Sequence, residues 1–180
     1  MVYSYKELLK KYQNRNGLYK ALEEEQIYKL EHGIYSNEKI VDPLVLYSKK
    51  YPNGIITMDS AFYFYHLTDV IPNKTHLATD RKSSIIKNEK IFQIFIPKEI
   101  LNAGKIKLDI QGGTINIYYK ERLLSELIRK RNQIPFDYYK EIISNYREIA
   151  HELDMYKIEE YLSLFKNGDN LFEVMQREVF

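Results

Sequence analysis

The chain has 180 residues, 44% of them hydrophobic, and its 27 basic and 25 acidic side chains leave a formal charge of +2. That length suits one ordinary domain or a small module attached to a medium one, and the second arrangement is expected here. A near-neutral balance excludes the uniform positive field of a ribosomal or chromatin protein, the lack of cysteine excludes disulfides and thiolate metal sites, and no apolar run approaches the ~20 residues of a membrane span.

Any nucleic-acid contact must therefore be local. Residues 1–20 are amphipathic without the apolar core of a signal peptide, so the cytosol is the expected compartment and no membrane partner is expected. In "SYKELLKKYQ" the pair Ser4 and Glu7 has capping-box spacing, which starts a helix after Ser4. Leu8, Leu9 and Tyr12 share one face, Lys6, Lys10 and Lys11 the other, and the pattern breaks near Gln13. A second helix is expected over about Arg15–Glu25, with Leu18, Ala21 and Leu22 packing inward and Arg15, Asn16, Tyr19, Lys20 and Glu23 outward. The following "IYKLEHGIY" has apolar Ile27, Leu30, Ile34 and Tyr35, with Gly33 at a tight reversal, so residues 1–36 read as helix, turn, helix and wing.

In such a unit the second helix enters the major groove by its N-terminal residues. Arg15 and Asn16 occupy those positions, Arg matching guanine and Asn adenine, while Lys10, Lys11 and Lys20 would meet phosphates. Glu23, Glu24 and Glu25 are repelled by phosphate, which confines the contact to the first turn or so. The competing account is a helical hairpin whose charges are only solvated.

Further along, Asp42 and Pro43 open a short connecting helix that stops at Pro52–Gly54, so domains are expected over 1–54 and 55–180. "IITMDSAFYFYHLTD" starts as a strand and turns at Asp59 or Ser60 into a helix through Ala61, Phe62, Tyr65 and Leu67. The runs "THLAT", "KIFQIFIP", "KIKLDI" and "TINIYY" read as strands of a small, mostly antiparallel sheet. "KERLLSELIRKR", "FDYYKEIISNYR" and "MYKIEEYLSLFK" then read as helices packed on it. The fold class expected is α+β: an N-terminal winged helix-turn-helix, then the sheet with C-terminal helices.

The order of a wing ending in "GIY" at 33–35, then "DPLVLYSKKYPNGIITMDSAFYFYHLTD", then a strand into "ERLLSELIRKR", resembles the AbiEi family of type IV antitoxins and related regulators over nearly the whole chain. Where family members usually carry Thr after the Arg and Asp shortly downstream, this chain has Leu123 and Glu126. The resemblance implies a protein with no catalytic activity and no cofactor. Its winged helix would bind double-stranded DNA at its own promoter and repress the operon, and its C-terminal domain would counteract a nucleotidyltransferase-like toxin, without a stable complex being required. By position, it assigns Arg15, Asn16, Tyr19 and Lys20 to the recognition helix, His32 to the wing, and Arg122 to antitoxin function. Inferior alternatives are a stand-alone winged-helix regulator, a metal-dependent nuclease using Asp59 or Asp69 with Asp80-Arg81-Lys82, and a protein-binding aromatic patch from Tyr63, Phe64, Tyr65, Tyr118 and Tyr119. The histidines at 32, 66, 76 and 151 fall on different elements and lack helical His-x3-His spacing.

Overall fold

Ser4 ends strand β1 (Val2–Ser4) and caps helix α1 (Tyr5–Lys11): its hydroxyl accepts from the Glu7 amide at 3.4 Å, while the Glu7 carboxylate accepts from the Ser4 amide at 2.7 Å. A computed structural model describes all 180 residues, and they divide into two compact units. One comprises residues 1–54 and 107–116, the other residues 55–106 and 117–180. The chain is α+β.

In the first unit, Gln13 turns the chain at φ +64° and the Asn14 side chain accepts from the Gly17 amide at 2.8 Å, starting α2 (Arg15–Glu23). The helix expected to reach Glu25 stops two residues sooner, where Glu25 adopts φ +53°. Strands β2 (Tyr28–Glu31) and β3 (Ile34–Ser36) follow, joined by His32 and Gly33, the latter at φ +76°. β3 pairs antiparallel with both β1 and β2, giving the order β1-β3-β2. Leu8, Leu18, Ala21, Ile27 and Tyr35 form the core beneath α1 and α2, with Tyr3, Tyr5, Leu9, Tyr12 and Leu22 packed around it. Helix α3 (Pro43–Lys50) begins as its sequence requires, Asp42 accepting from the Leu44 amide at 2.7 Å. Ion pairs of Lys49 with Glu7 and Lys50 with Glu31 hold its last turn.

The second unit starts with β4 (Ile55–Ile56) and α4 (Met58–Phe64), which stops before Leu67 because His66 turns back at φ +57°. Next come β5 (Thr75–Asp80), β6 (Ile91–Ile96), the single helical turn α5 (Lys98–Leu101), and the hairpin strands β7 (Lys105–Ile110) and β8 (Gly113–Tyr118). The outer part of this hairpin belongs to the first unit. There the Val2 amide donates to the Gly112 carbonyl at 3.1 Å and the Asn116 amide group to the Pro52 carbonyl at 3.0 Å.

The sheet order is β6-β5-β4-β8-β7. The expectation of a mostly antiparallel sheet requires correction. β5 is antiparallel to β4 but parallel to β6 along its whole length, from Thr75↔Ile91 to Asp80↔Ile96, and β4 meets β8 in parallel at Ile56↔Ile117. The sheet is mixed, because the connection over residues 81–90 is long enough to carry the chain back before β6 begins, where a tight hairpin would have forced the opposite direction.

The C-terminal helices are α6 (Lys120–Lys130), α7 (Phe136–Glu148), α8 (Met155–Ser163) and α9 (Gly168–Val179); the last was not foreseen. α6 is not a one-sided helix on a sheet. Residues 121–128 are all buried, because α4, α8 and α9 enclose it. Among them Arg122 is 0% exposed and its Nη2 lies 2.8 Å from Oε1 of Glu126, itself 2% exposed. That approach is off the hydrogen-bond axis, so the pair is ionic and neither atom gains a directed hydrogen bond. The guanidinium is sandwiched instead between the Tyr118 and Phe165 rings, at 5.3 and 5.1 Å from their centres. The other Glu126 oxygen accepts from Arg129 Nε at 3.0 Å.

Removing one member of a buried pair strands the other charge, whereas replacing both with apolar groups removes the desolvation cost. Glu126→Leu alone is therefore expected to lower the unfolding free energy by about 3–5 kcal/mol. The double substitution Arg122→Met with Glu126→Leu should recover most of that loss in denaturant titration. Additive losses would show that the two charges do not interact.

Candidate nucleic-acid face and a polar cleft

Each unit has one candidate site. In the first, Leu18 and Ala21 bury one side of α2 and leave Arg15, Asn16, Tyr19 and Lys20 exposed on the other, starting at the first helical residue. Tyr19 is 61% exposed and presents a large aromatic surface to solvent. Lys20 makes a loose pair with Glu24 at 3.6 Å. Lys10 and Lys11 stand exposed in the last turn of α1, the Lys11 ammonium resting 5.1 Å from the Tyr3 ring centre. His32 is exposed in the β2–β3 turn. Glu23, Glu24 and Glu25 are exposed at the far end of α2.

Arg122 is the one site residue whose placement conflicts with a direct role. With no exposed surface it does not reach solvent, and its contacts are with Glu126 and the Tyr118 and Phe165 rings. Nor do the expected aromatic residues form one patch. The Tyr118 hydroxyl donates to the Leu101 carbonyl at 2.7 Å and Tyr65 to the Tyr118 carbonyl at 3.1 Å, and burial pushes both phenols well above the usual tyrosine range.

The second unit contains an open cleft of about 350 Å³ lined by Asp59, Val70, Gln133, Ile134, Pro135 and Tyr138. Sequence reasoning named only Asp59 of these, and for a different chemistry. Asp59 sits in the first turn of α4, directly after Met58 at φ +45°, a left-handed conformation that costs a non-glycine residue about 1 kcal/mol or more. Its Oδ2 is 3.7 Å from His76 Nε2, and the His76 ring lies tilted at 33° against Phe92, with ring centres 4.8 Å apart. Burial holds His76 below its ordinary pKa; Asp59 opposes that shift and Lys130 adds to it. Burial also lowers Lys130, with Glu126 opposing. The Tyr138 hydroxyl is buried beside Asp59 and Thr68 without a hydrogen bond of normal geometry, and burial raises its pKa.

Asp80 is not with Asp59: it closes a turn, accepting from the Lys82 amide at 2.8 Å. The Asp69 amide donates to Glu141 at 3.2 Å, and no group of three His, Asp or Glu side chains converges in a way that could hold a metal ion. No helix is long and apolar enough to cross a membrane. Searches against protein-family models and curated proteins find no match to this chain.

The His76 shift has a definite sign. A histidine lowered in the folded state binds its proton more readily when unfolded, so stability is intact above the unfolded value of 6.5 and is lost as pH falls from there through the lower folded value. The thermal midpoint of the wild type should therefore drop as pH falls below about 6.5, and His76→Gln should show a shallower drop over the same window. Parallel curves for the two proteins would remove His76 as the cause.

Proposed function

We propose that the chain is a DNA-binding transcriptional regulator of its own operon and the antitoxin of a type IV toxin–antitoxin pair. In this reading the first unit is a winged helix-turn-helix. The observation that carries it is the exposed row Arg15, Asn16, Tyr19 and Lys20, which starts at the first residue of α2 while the opposite side of the helix is locked into the unit's core. Two short helices with a three-residue connection between them, followed by a hairpin whose second strand also pairs with β1, fit that architecture. Arg15 and Asn16 then reach base edges, Lys10, Lys11 and Lys20 meet phosphates, and His32 at the hairpin turn approaches the neighbouring groove. The glutamates at 23–25 lift the end of the helix away from the duplex.

The antitoxin role rests on the resemblance to the AbiEi family and falls to the second unit. It involves no catalysis and requires no stable complex with the nucleotidyltransferase-like toxin. Arg122 contributes by supporting α6 rather than by contact.

Full-length protein titrated with duplex from upstream of its own gene and with a scrambled duplex, both at physiological salt, tests the first role. Tighter binding to the upstream duplex is expected; equal affinities would refute specific recognition. Arg15→Ala should reduce discrimination at one or two base pairs by about 1–3 kcal/mol, whereas Lys10→Ala should weaken binding to all sequences alike. Co-expression with a nucleotidyltransferase toxin from the same operon tests the second role through restored growth. A chain that binds its promoter without restoring growth is a regulator alone.

A further inference from the structure

Strand β6 is one edge of the five-stranded sheet, and its sequence, "IFQIFI", has no charge, no proline and no bulge. Sheets usually block an open edge with such devices, because unpaired main-chain groups there accept another strand. The opposite edge has one: β7 carries Lys107 and Asp109 exposed along it. On β6 the exposed side chains are instead Phe92 at 51% and Phe95 at 41%.

The ladder to β5 sets which way the free groups point. The Thr75 amide donates to the Lys90 carbonyl at 2.8 Å and the Arg81 amide to the Ile96 carbonyl at 2.9 Å, so even-numbered residues turn their main-chain groups toward β5, and Ile91, Gln93 and Phe95 turn theirs outward. The Ile91 amide is taken by the Asn88 carbonyl at 3.1 Å in the turn before the strand. The connection over residues 81–90 holds only the side chain of Gln93: its amide oxygen accepts from the Ile86 amide at 2.8 Å and its amide nitrogen donates to the Ser84 carbonyl at 3.1 Å. No main-chain hydrogen bond joins this connection to Gln93 or Phe95.

An identical strand fits this edge. Two copies of one strand related by a two-fold axis in the plane's normal run antiparallel. With the axis at Gln93, the two Gln93 residues exchange both main-chain bonds, and each Phe95 amide reaches the Ile91 carbonyl of the second copy. Phe92 then faces Ile94 and Ile91 faces Phe95, the aromatic and β-branched pairing that stabilises antiparallel ladders. The exposed Lys90 falls beside Ile96 of the second copy, whose neighbour on β5 is Asp80, so a cation and a carboxylate approach at both ends of the pair. An axis at Ile94 would bring Lys90 toward Lys98, and an axis at Phe92 would set Glu89 against Phe95 and Lys90 against Ile94, so charge selects the Gln93 register.

We propose that two copies of this chain dimerise through β6, antiparallel about a two-fold axis at Gln93. Only the second unit takes part, so the inference stands apart from the DNA reading.

Analytical ultracentrifugation of the full-length protein over a wide range of concentration tests it. The mass should rise from 21.6 kDa to twice that value and stop there, because the dimer uses up the edge. Phe95→Lys, which puts a charge on the edge, should stay at 21.6 kDa while keeping the circular dichroism spectrum of the wild type. The chain has no cysteine, so single cysteine variants report the register. Under mild oxidation Gln93→Cys should form a covalent dimer much faster than Phe95→Cys, because the two copies of residue 93 are opposite each other whereas those of residue 95 are about 14 Å apart along the strands. If Phe95→Lys fails to fold, this comparison decides the matter. A wild type that stays at 21.6 kDa at every concentration overturns the proposal and leaves the edge to a strand of another protein. So does a mass that keeps rising past the dimer, a folded Phe95→Lys that dimerises like the wild type, or equal rates of cross-linking in the two cysteine variants.

Discussion

Ionisable side chains enclosed on α6 set the terms for the second unit. Glu121, Arg122 and Glu126 lie within a stretch that is buried along its whole length, where an unmatched charge would cost several kcal/mol. The unit answers this with a sequence of neighbours rather than one bond. Arg122 faces Glu126, Glu126 faces Arg129, and Phe165 covers both guanidinium groups, while Glu121 accepts from the Asp154 amide at 3.3 Å. Because these partners come from α6 itself, from Phe165 just after α8 and from the residue before α8, the charges fix how the helices meet in a way that apolar packing alone would leave freer. Gly104 belongs to the same constraint: a Cβ there would stand 2.5 Å from that of Arg122.

The two units use charge in opposite ways. In the first, cations are kept in water along α1 and α2, where they are available to an anionic surface and contribute little to stability. In the second, Glu121, Arg122 and Glu126 are drawn inward on α6, while other charges, such as Lys74, Arg81, Lys82 and Glu89, stay exposed. A net charge of +2 over the whole chain conceals this division. On the proposed reading, the exposed cations of the first unit would offer DNA a local face that the near-neutral total does not reveal.

What could be read from the sequence was what is settled within a few residues. The reciprocal bonds of Ser4 with Glu7 and the Asp42–Pro43 start are local chemistry, and both are present as their spacing implies. Long-range decisions were not legible. Strand β1 is three residues long and exists because Val2–Ser4 finds Ile34–Ser36, a partner no local pattern identifies. The parallel pairing of β5 with β6 depends on the path taken by residues 81–90, which carry no periodic signal. The enclosure of α6 was not legible either: its apolar residues repeat at helical spacing, but nothing local shows that Glu121, Arg122 and Glu126 are covered by neighbouring helices. The cleft was the least legible feature, since Asp59, Val70 and the residues from Gln133 to Tyr138 meet only after the chain has folded.

If DNA binding is confined to the first unit, few phosphates are neutralised, and the number can be counted from Lys10, Lys11 and Lys20. Counterion release then requires the logarithm of the association constant to fall with the logarithm of salt concentration at a slope of about −3. Measuring affinity for the upstream duplex across a range of salt concentrations gives this slope directly. A value near −3 supports a small, local contact by α1 and α2. A slope near zero, or one steeper than about −6, would contradict it, the first by showing no phosphate contact and the second by requiring cations from well beyond these helices.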